Sequence, residues 1–157
     1  MTNLVVSEGY DKQQIKDLLD SFENTGESIW KKRNTLKIFA LNGKEVIVKS
    51  FKVPHLVNRF AYRYLRKSKA QRSYEHARIL KQKGILSPDP IGYKEEFSLI
   101  GLGSSQYISA KLNYDFDFNA LYDAGFENRD RILENFTEFT CLLYTSDAAD
   151  DLLQVEM

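Results

Sequence analysis

The chain has 157 residues, 43% of them hydrophobic and 13% aromatic, with 22 basic and 22 acidic side chains. This is material for one ordinary domain or part of a larger one, and it excludes global disorder. One cysteine and two well-separated histidines exclude a disulfide framework and zinc-ligand spacing, and no apolar run approaches the roughly 20 residues of a membrane span.

In chain order, "MTNLVVSEGYDKQQ" lacks the basic region and long apolar stretch of a secretory signal, so a soluble, cytoplasmic protein is expected. "DKQQIKDLLDSF" sets Ile15, Leu18, Leu19 and Phe22 at helical spacing. "ESIWKKRN" and "TLKIFAL" read as two strands joined near Lys32–Asn34. Asn42-Gly43 signals a tight hairpin into a third strand, "EVIVKSFK". Pro54 ends that strand. Residues 55–84 have helical periodicity in two pieces, with a break near Ser68 and Gly84 as the cap. "SPDPIGYKEE" and "SSQYISAKL" predict two more strands around a loop "FSLIGLGS". A connector "NYDFDF", a short helix through Leu121 and a longer one from about Arg129 follow.

Charge is uneven along this order. Residues 49–83 carry eleven Lys/Arg and a single acid, Glu75, while the rest of the chain is correspondingly acidic. Such a block implies an anionic partner (phosphate, nucleic acid or a membrane surface) or, more plainly, a solvated helix face.

Within the block, strand alternation puts Ile47, Lys49 and Phe51 on one face. An ammonium on the inner face of a sheet is costly unless an anion meets it. Glu75 follows on the next helix. This is the arrangement of a protein-kinase-like amino-terminal lobe, where a strand lysine holds the α/β-phosphates of ATP and a helix glutamate orients it. "VIVK" matches the V-A-I-K strand except that Ile47 replaces the alanine, a change that crowds the adenine. A lysine that merely keeps a sheet edge soluble is the alternative.

The stretch "VIVKSFKVPHLVNRFAYRYLRKSKAQRSYEHARILKQKGILSPDPIGY" resembles the lipopolysaccharide kinase family (the Kdo/WaaP and InaA-like group), especially its Bacteroidetes-type members. The resemblance covers roughly Phe22 to Thr140. It implies a phosphotransferase that uses ATP and Mg²⁺ to phosphorylate a sugar hydroxyl, Kdo or heptose, of the lipopolysaccharide inner core. By motif match Lys49 binds phosphate and Glu75 is its ion-pair partner. Two departures stand out. "KKRN" replaces the glycine loop, so Lys31, Lys32, Arg33 and Asn34 would supply donors from side chains, unless this is a plain polar hairpin. No H-R-D-like catalytic loop or D-F-G-like metal aspartate occurs, so the chain as given should bind nucleotide without turnover, and it offers neither a catalytic residue nor a metal ligand. The order of elements places the adenine edge at Lys111, Leu112 and Asn113.

"HLVNRFAYRYLRKSK" interleaves aromatic rings with Arg59, Arg63, Arg66 and Lys67. As a helix it would suit an anionic lipid surface or an anionic substrate, or else bury its rings and solvate its charges. Peripheral contact with the cytoplasmic face of the inner membrane is the partner expected, and nucleic acid is not.

Residues 141–150 match the translation of a transposon sequencing adapter, so the acidic cluster Asp147, Asp150 and Asp151 is not read as a metal site. The expected fold is α+β: a five-stranded antiparallel sheet plus one packed helix, the amino-terminal lobe of a protein-kinase-like fold, with the start of a helical second lobe. Residues 1–112 form the first lobe and 113–140 the hinge and first helices of the second. Residues 141–157 are a non-native tail. Two other readings stay open: a kinase-like protein acting on a protein or small molecule, and a non-catalytic basic module for membrane or nucleic acid.

Overall fold

The computed structural model describes residues 1–116 and 118–145. The acidic cluster at 147–151 and the tail beyond Thr145 lie outside them. Two compact units are present, residues 1–111 and a second beginning at Leu112.

The first unit is built on a six-stranded, wholly antiparallel sheet. Its strands are β1 (Thr2–Val6), β2 (Glu27–Lys31), β3 (Asn34–Leu41), β4 (Lys44–Phe51), β5 (Pro90–Ser98) and β6 (Gly101–Ala110), in the spatial order β1-β5-β6-β4-β3-β2. Three helices accompany it: α1 (Lys12–Asp20), α2 (Leu56–Tyr64) and α3 (Lys69–Gln82). The expected five strands are therefore six. The missing one is β1, whose short run Thr-Asn-Leu-Val-Val is too brief to show a period and is held by pairing along β5.

Local chemistry fixes the boundaries. Asp11 caps α1 by accepting from the Gln14 amide at 2.7 Å. Asn42 and Gly43 both have positive φ, 51° and 76°, as a type I′ hairpin requires. Ser68 separates α2 from α3 and caps α3 through the Gln71 amide at 3.1 Å. Gly84, at φ 72°, ends it while the Ile85 amide reaches back to the Leu80 carbonyl.

The two sheet faces carry different cores, and the expected single packed helix is a further correction. Helix α1 and the turn after it lie on one face, burying Ile15, Leu19 and Phe22 against Phe39, Val46, Val48, Ile91 and Ile108. The other face takes α3, with Ala70 and Tyr74 on Phe51 and Tyr93. Gln106 from β6 donates to the Leu19 carbonyl, satisfying one of the few polar groups in the first core.

A charged clamp ties α1 to β5. The Lys94 side chain is only 7% exposed, and its ammonium meets both Asp20 at the end of α1 and Glu96; Ser104 also donates to Glu96 at 2.7 Å. Burial pushes Lys94 down, but the two carboxylates outweigh it and hold it above its ordinary value. Lys94 depresses both carboxyls, with help from Lys16 at Asp20 and from Ser104 at Glu96. Depressed carboxyls stabilise the fold above about pH 4 and lose that contribution as pH falls through their folded values. Lys94 contributes below its ordinary value of 10.5 and loses its contribution as pH rises through its folded one. The melting temperature should therefore hold between about pH 5 and 9 and fall on the acid side, modestly because both carboxylates are partly solvated. Lys94→Met should flatten the acid limb in a melting series; an unchanged limb would refute the clamp.

In the second unit a short 3₁₀ turn (Phe118–Tyr122) precedes α4 (Arg129–Thr145). The Arg129 side chain donates to the Leu121 carbonyl at 2.9 Å, and the Phe118 and Phe136 rings lie 5.1 Å apart. No helix among the described residues is long and apolar enough to cross a membrane.

Candidate functional site

The α3 face of the sheet can be read row by row from the strand register. Trp30, Leu36, Lys49 and Tyr107 stand side by side on β2, β3, β4 and β6; Ile38, Ile47 and Ser109 form the next row, and Asn34, Phe51 and Ser105 the row on the other side. Alternation places all of them on the face that carries Phe51 and α3, opposite Val46 and Val48. Trp30 is half exposed, and Leu36, Ile38 and Ile47 are partly exposed. Together they make an open apolar floor across three strands, with Lys49 at its rim. Tyr107 borders it; burial, first of all, pushes its hydroxyl up to about 12, so the ring stays neutral.

Lys49 is partly buried and rests its ammonium 5.2 Å from the Phe51 ring centroid. It takes part in no ion pair among the described residues. The expected partner, Glu75, is engaged elsewhere: Lys67 Nζ lies 2.8 Å from one oxygen and Gln71 Nε2 donates to the other at 3.0 Å. Lys67, just before the Ser68 cap, and Gln71, one turn back, are near Glu75 along the chain. A contact 26 residues away competes with both. The charges around Lys49 are instead cations. Burial lowers the pKa of Lys69, and Arg33, Arg72 and Lys49 lower it further.

The β2–β3 connection is a tight polar turn. The Lys32 amide bonds the Asn34 carbonyl at 3.2 Å, and the Lys32 ammonium sits 4.6 Å from the Trp30 ring centroid, so this lysine caps the floor. Asn34 begins β3 and accepts from the Lys52 amide at 3.4 Å. Arg33 points its exposed side chain into the cavity beyond Phe51.

At the end of β6, Lys111 donates its amide to the Glu45 carbonyl at 3.1 Å and its ammonium to the Glu45 carboxylate at 2.6 Å. Both of its donors are thus occupied within the sheet. Leu112 is half exposed and Asn113 exposed, and both belong to the second unit.

The basic helix α2 uses its arginines for structure. Arg59 donates to the Leu102 carbonyl at 2.8 Å and to the Ser98 hydroxyl at 2.9 Å, and Arg63 bonds the Ser98 carbonyl. These bonds anchor α2 to the β5–β6 hairpin. Arg66 alone of the four basic residues expected to meet an anion has its side chain in no ion pair or hydrogen bond among the described residues; Lys67 holds Glu75. Around them Leu56, Phe60, Tyr64 and Leu65, and the hairpin tip Leu99–Ile100, are exposed.

Sequence reasoning missed Trp30, Leu36, Ile38 and Tyr107 as floor and border, and Lys69 as a neighbour of the lysine. The alternation of "TLKIFAL" held the signal for Leu36 and Ile38, but which face stayed open depends on where α1 and α3 dock.

No family model matches the chain, and no curated protein matches it. Among solved structures it is similar to "WaaP in complex with acyl carrier protein", with a TM-score of 0.52 at 15% identity over 82% of this chain and 47% of the solved one. The fold is WaaP-like. The chain spans about half the length of the WaaP chain it matches, and at this identity the likeness concerns the fold.

Proposed function

We propose that this chain is the nucleotide-binding part of an ATP-dependent phosphotransferase whose acceptor is a sugar hydroxyl, Kdo or heptose, of the lipopolysaccharide inner core. The observation that carries this is the seating of Lys49. A partly buried ammonium with no carboxylate partner among the described residues stands at the rim of an open apolar floor, on a WaaP-like sheet. Adenine is flat and apolar on its faces and fits such a floor, while an unpaired lysine beside it supplies a charge for phosphate. Ile47, which was expected to crowd the ring, lies in the floor between Ile38 and Ser109. Lys32 and Asn34 border the same floor, and Glu75 would join Lys49 by leaving Lys67.

Mg²⁺, when bound with the nucleotide, neutralises phosphate charge. Among the described residues no three His, Cys, Asp or Glu side chains gather to hold a metal. The acceptor preference rests on the sequence resemblance and on WaaP. Exposed aromatics on α2 beside Arg66 support docking on the cytoplasmic face of an anionic inner membrane.

Titration of the 157-residue chain with the fluorescent analogue TNP-ATP tests the nucleotide reading. Saturable binding that ATP displaces is expected, and Lys49→Met should weaken it at least tenfold. Absence of binding, or binding indifferent to that substitution, would overturn the proposal.

A further inference from the structure

Past the end of β4 the β2–β3 turn, the strand ends and α2 enclose a cavity of about 390 Å³. Its walls carry Arg33, Lys52 and Lys69, together with His55, Asn58 and Tyr62. No aspartate or glutamate is among the described lining residues, and none of the three cationic side chains enters an ion pair or hydrogen bond among the described residues. Lys69 opens α3, whose first turn holds no acid, so the positive end of a 14-residue helix adds to the same field. Nearby, Arg72 has its Nε buried without a partner. Crowding of Lys69 by Arg33, Arg72 and Lys49, on top of burial, already lowers its proton affinity.

Like charges gathered around a concave wall repel one another, and folding gains nothing from the arrangement. A dianionic oxyanion entering the cavity would relieve that repulsion and accept bonds from several donors at once. The volume exceeds that of a lone phosphate and suits a phosphate joined to a small polyol or sugar. Lys49 does not line this cavity, and the apolar floor lies in the rows running away from it, beyond Lys49 toward the start of β4.

We propose that this cavity is a second anion site that takes a phosphomonoester of a small molecule, separate from the floor beside Lys49. It would hold a phosphorylated acceptor or effector while leaving the nucleotide its own place. The inference does not require the nucleotide reading to be correct.

Isothermal titration of the full chain with inorganic phosphate and with glycerol 3-phosphate, at ionic strength fixed with chloride, tests it. Saturable binding is expected, tighter for the ester, and at least tenfold weaker in either Lys69→Met or Arg33→Gln. Both positions are exposed, so folding should survive, and circular dichroism melts check that. Lys49→Met should keep binding within about twofold, because Lys49 adds only long-range charge. Retention of binding in the presence of saturating TNP-ATP supports a separate site. Should TNP-ATP fail to bind at all while phosphate still does, the nucleotide reading falls and the cavity stands. Complete displacement by TNP-ATP would assign the cavity to the nucleotide's own phosphates and overturn the proposal. Absence of saturable binding, or equal loss in Lys49→Met and Lys69→Met, would overturn it as well.

Discussion

Replacing Phe22 with alanine should cost about 3–5 kcal/mol of unfolding free energy. The ring is 2% exposed, stacks 6.1 Å from Phe39 and closes the core that α1 makes with the sheet. Its removal loses the transfer energy of a large side chain and leaves a void, because Ile15 and Leu19 are fixed on the preceding helix and cannot fill it. Lys37 adds to the effect. Its ammonium lies 4.9 Å from the ring centroid while also bonding the Phe22, Glu23 and Thr25 carbonyls, so the substitution strips the ring contact and leaves the carbonyl bonds. A domain of this size has about 5–15 kcal/mol in total, so the variant should unfold at a much lower urea midpoint with little change in slope. A loss below about 1.5 kcal/mol would place the ring outside a tight core.

Gly101→Ala should be nearly as damaging, at about 2–4 kcal/mol. Gly101 has φ 125°, a conformation that suits only glycine, and a methyl group there would overlap the Arg59 carbonyl of α2. Backbone strain of about 1–3 kcal/mol combines with displacement of α2, which the Arg59 and Arg63 bonds to Ser98 and Leu102 hold on the hairpin. Gly43→Ala is the comparison: its φ is also positive, at 76°, but nothing stands within 4 Å of the added methyl, so only strain remains. Similar losses in the two variants, measured by urea unfolding, would show that α2 does not press on the turn. The same variant should weaken phosphate binding, since Asn58 and Tyr62 reach the cavity from α2.

The elements that could be read from sequence carry their instructions locally. Asn42-Gly43, Ser68 and Gly84 act through backbone conformation and nearby bonds, and a single chain displays them. What could not be read depends on placement. "FSLIGLGS" looked like a loop because of its glycines. In the structure β5 and β6 run through it to a turn at Leu99–Ile100, and Gly101 and Gly103 are small because backbone passes close by. The Lys49–Glu75 pair was inferred from scarcity of acids in the block. That count says nothing about which cation is nearest, and Lys67 is. The open floor likewise appears only once α1 and α3 have chosen their faces.

The double fastening of Lys111 to Glu45 has a mechanical consequence. It joins the exit of β6 to the entry of β4 just where the chain leaves the sheet. A pull applied downstream of Leu112 would therefore meet the Lys111–Glu45 amide bond and ion pair before any rung of the β4–β6 ladder, and Lys49 lies further along that ladder, opposite Tyr107.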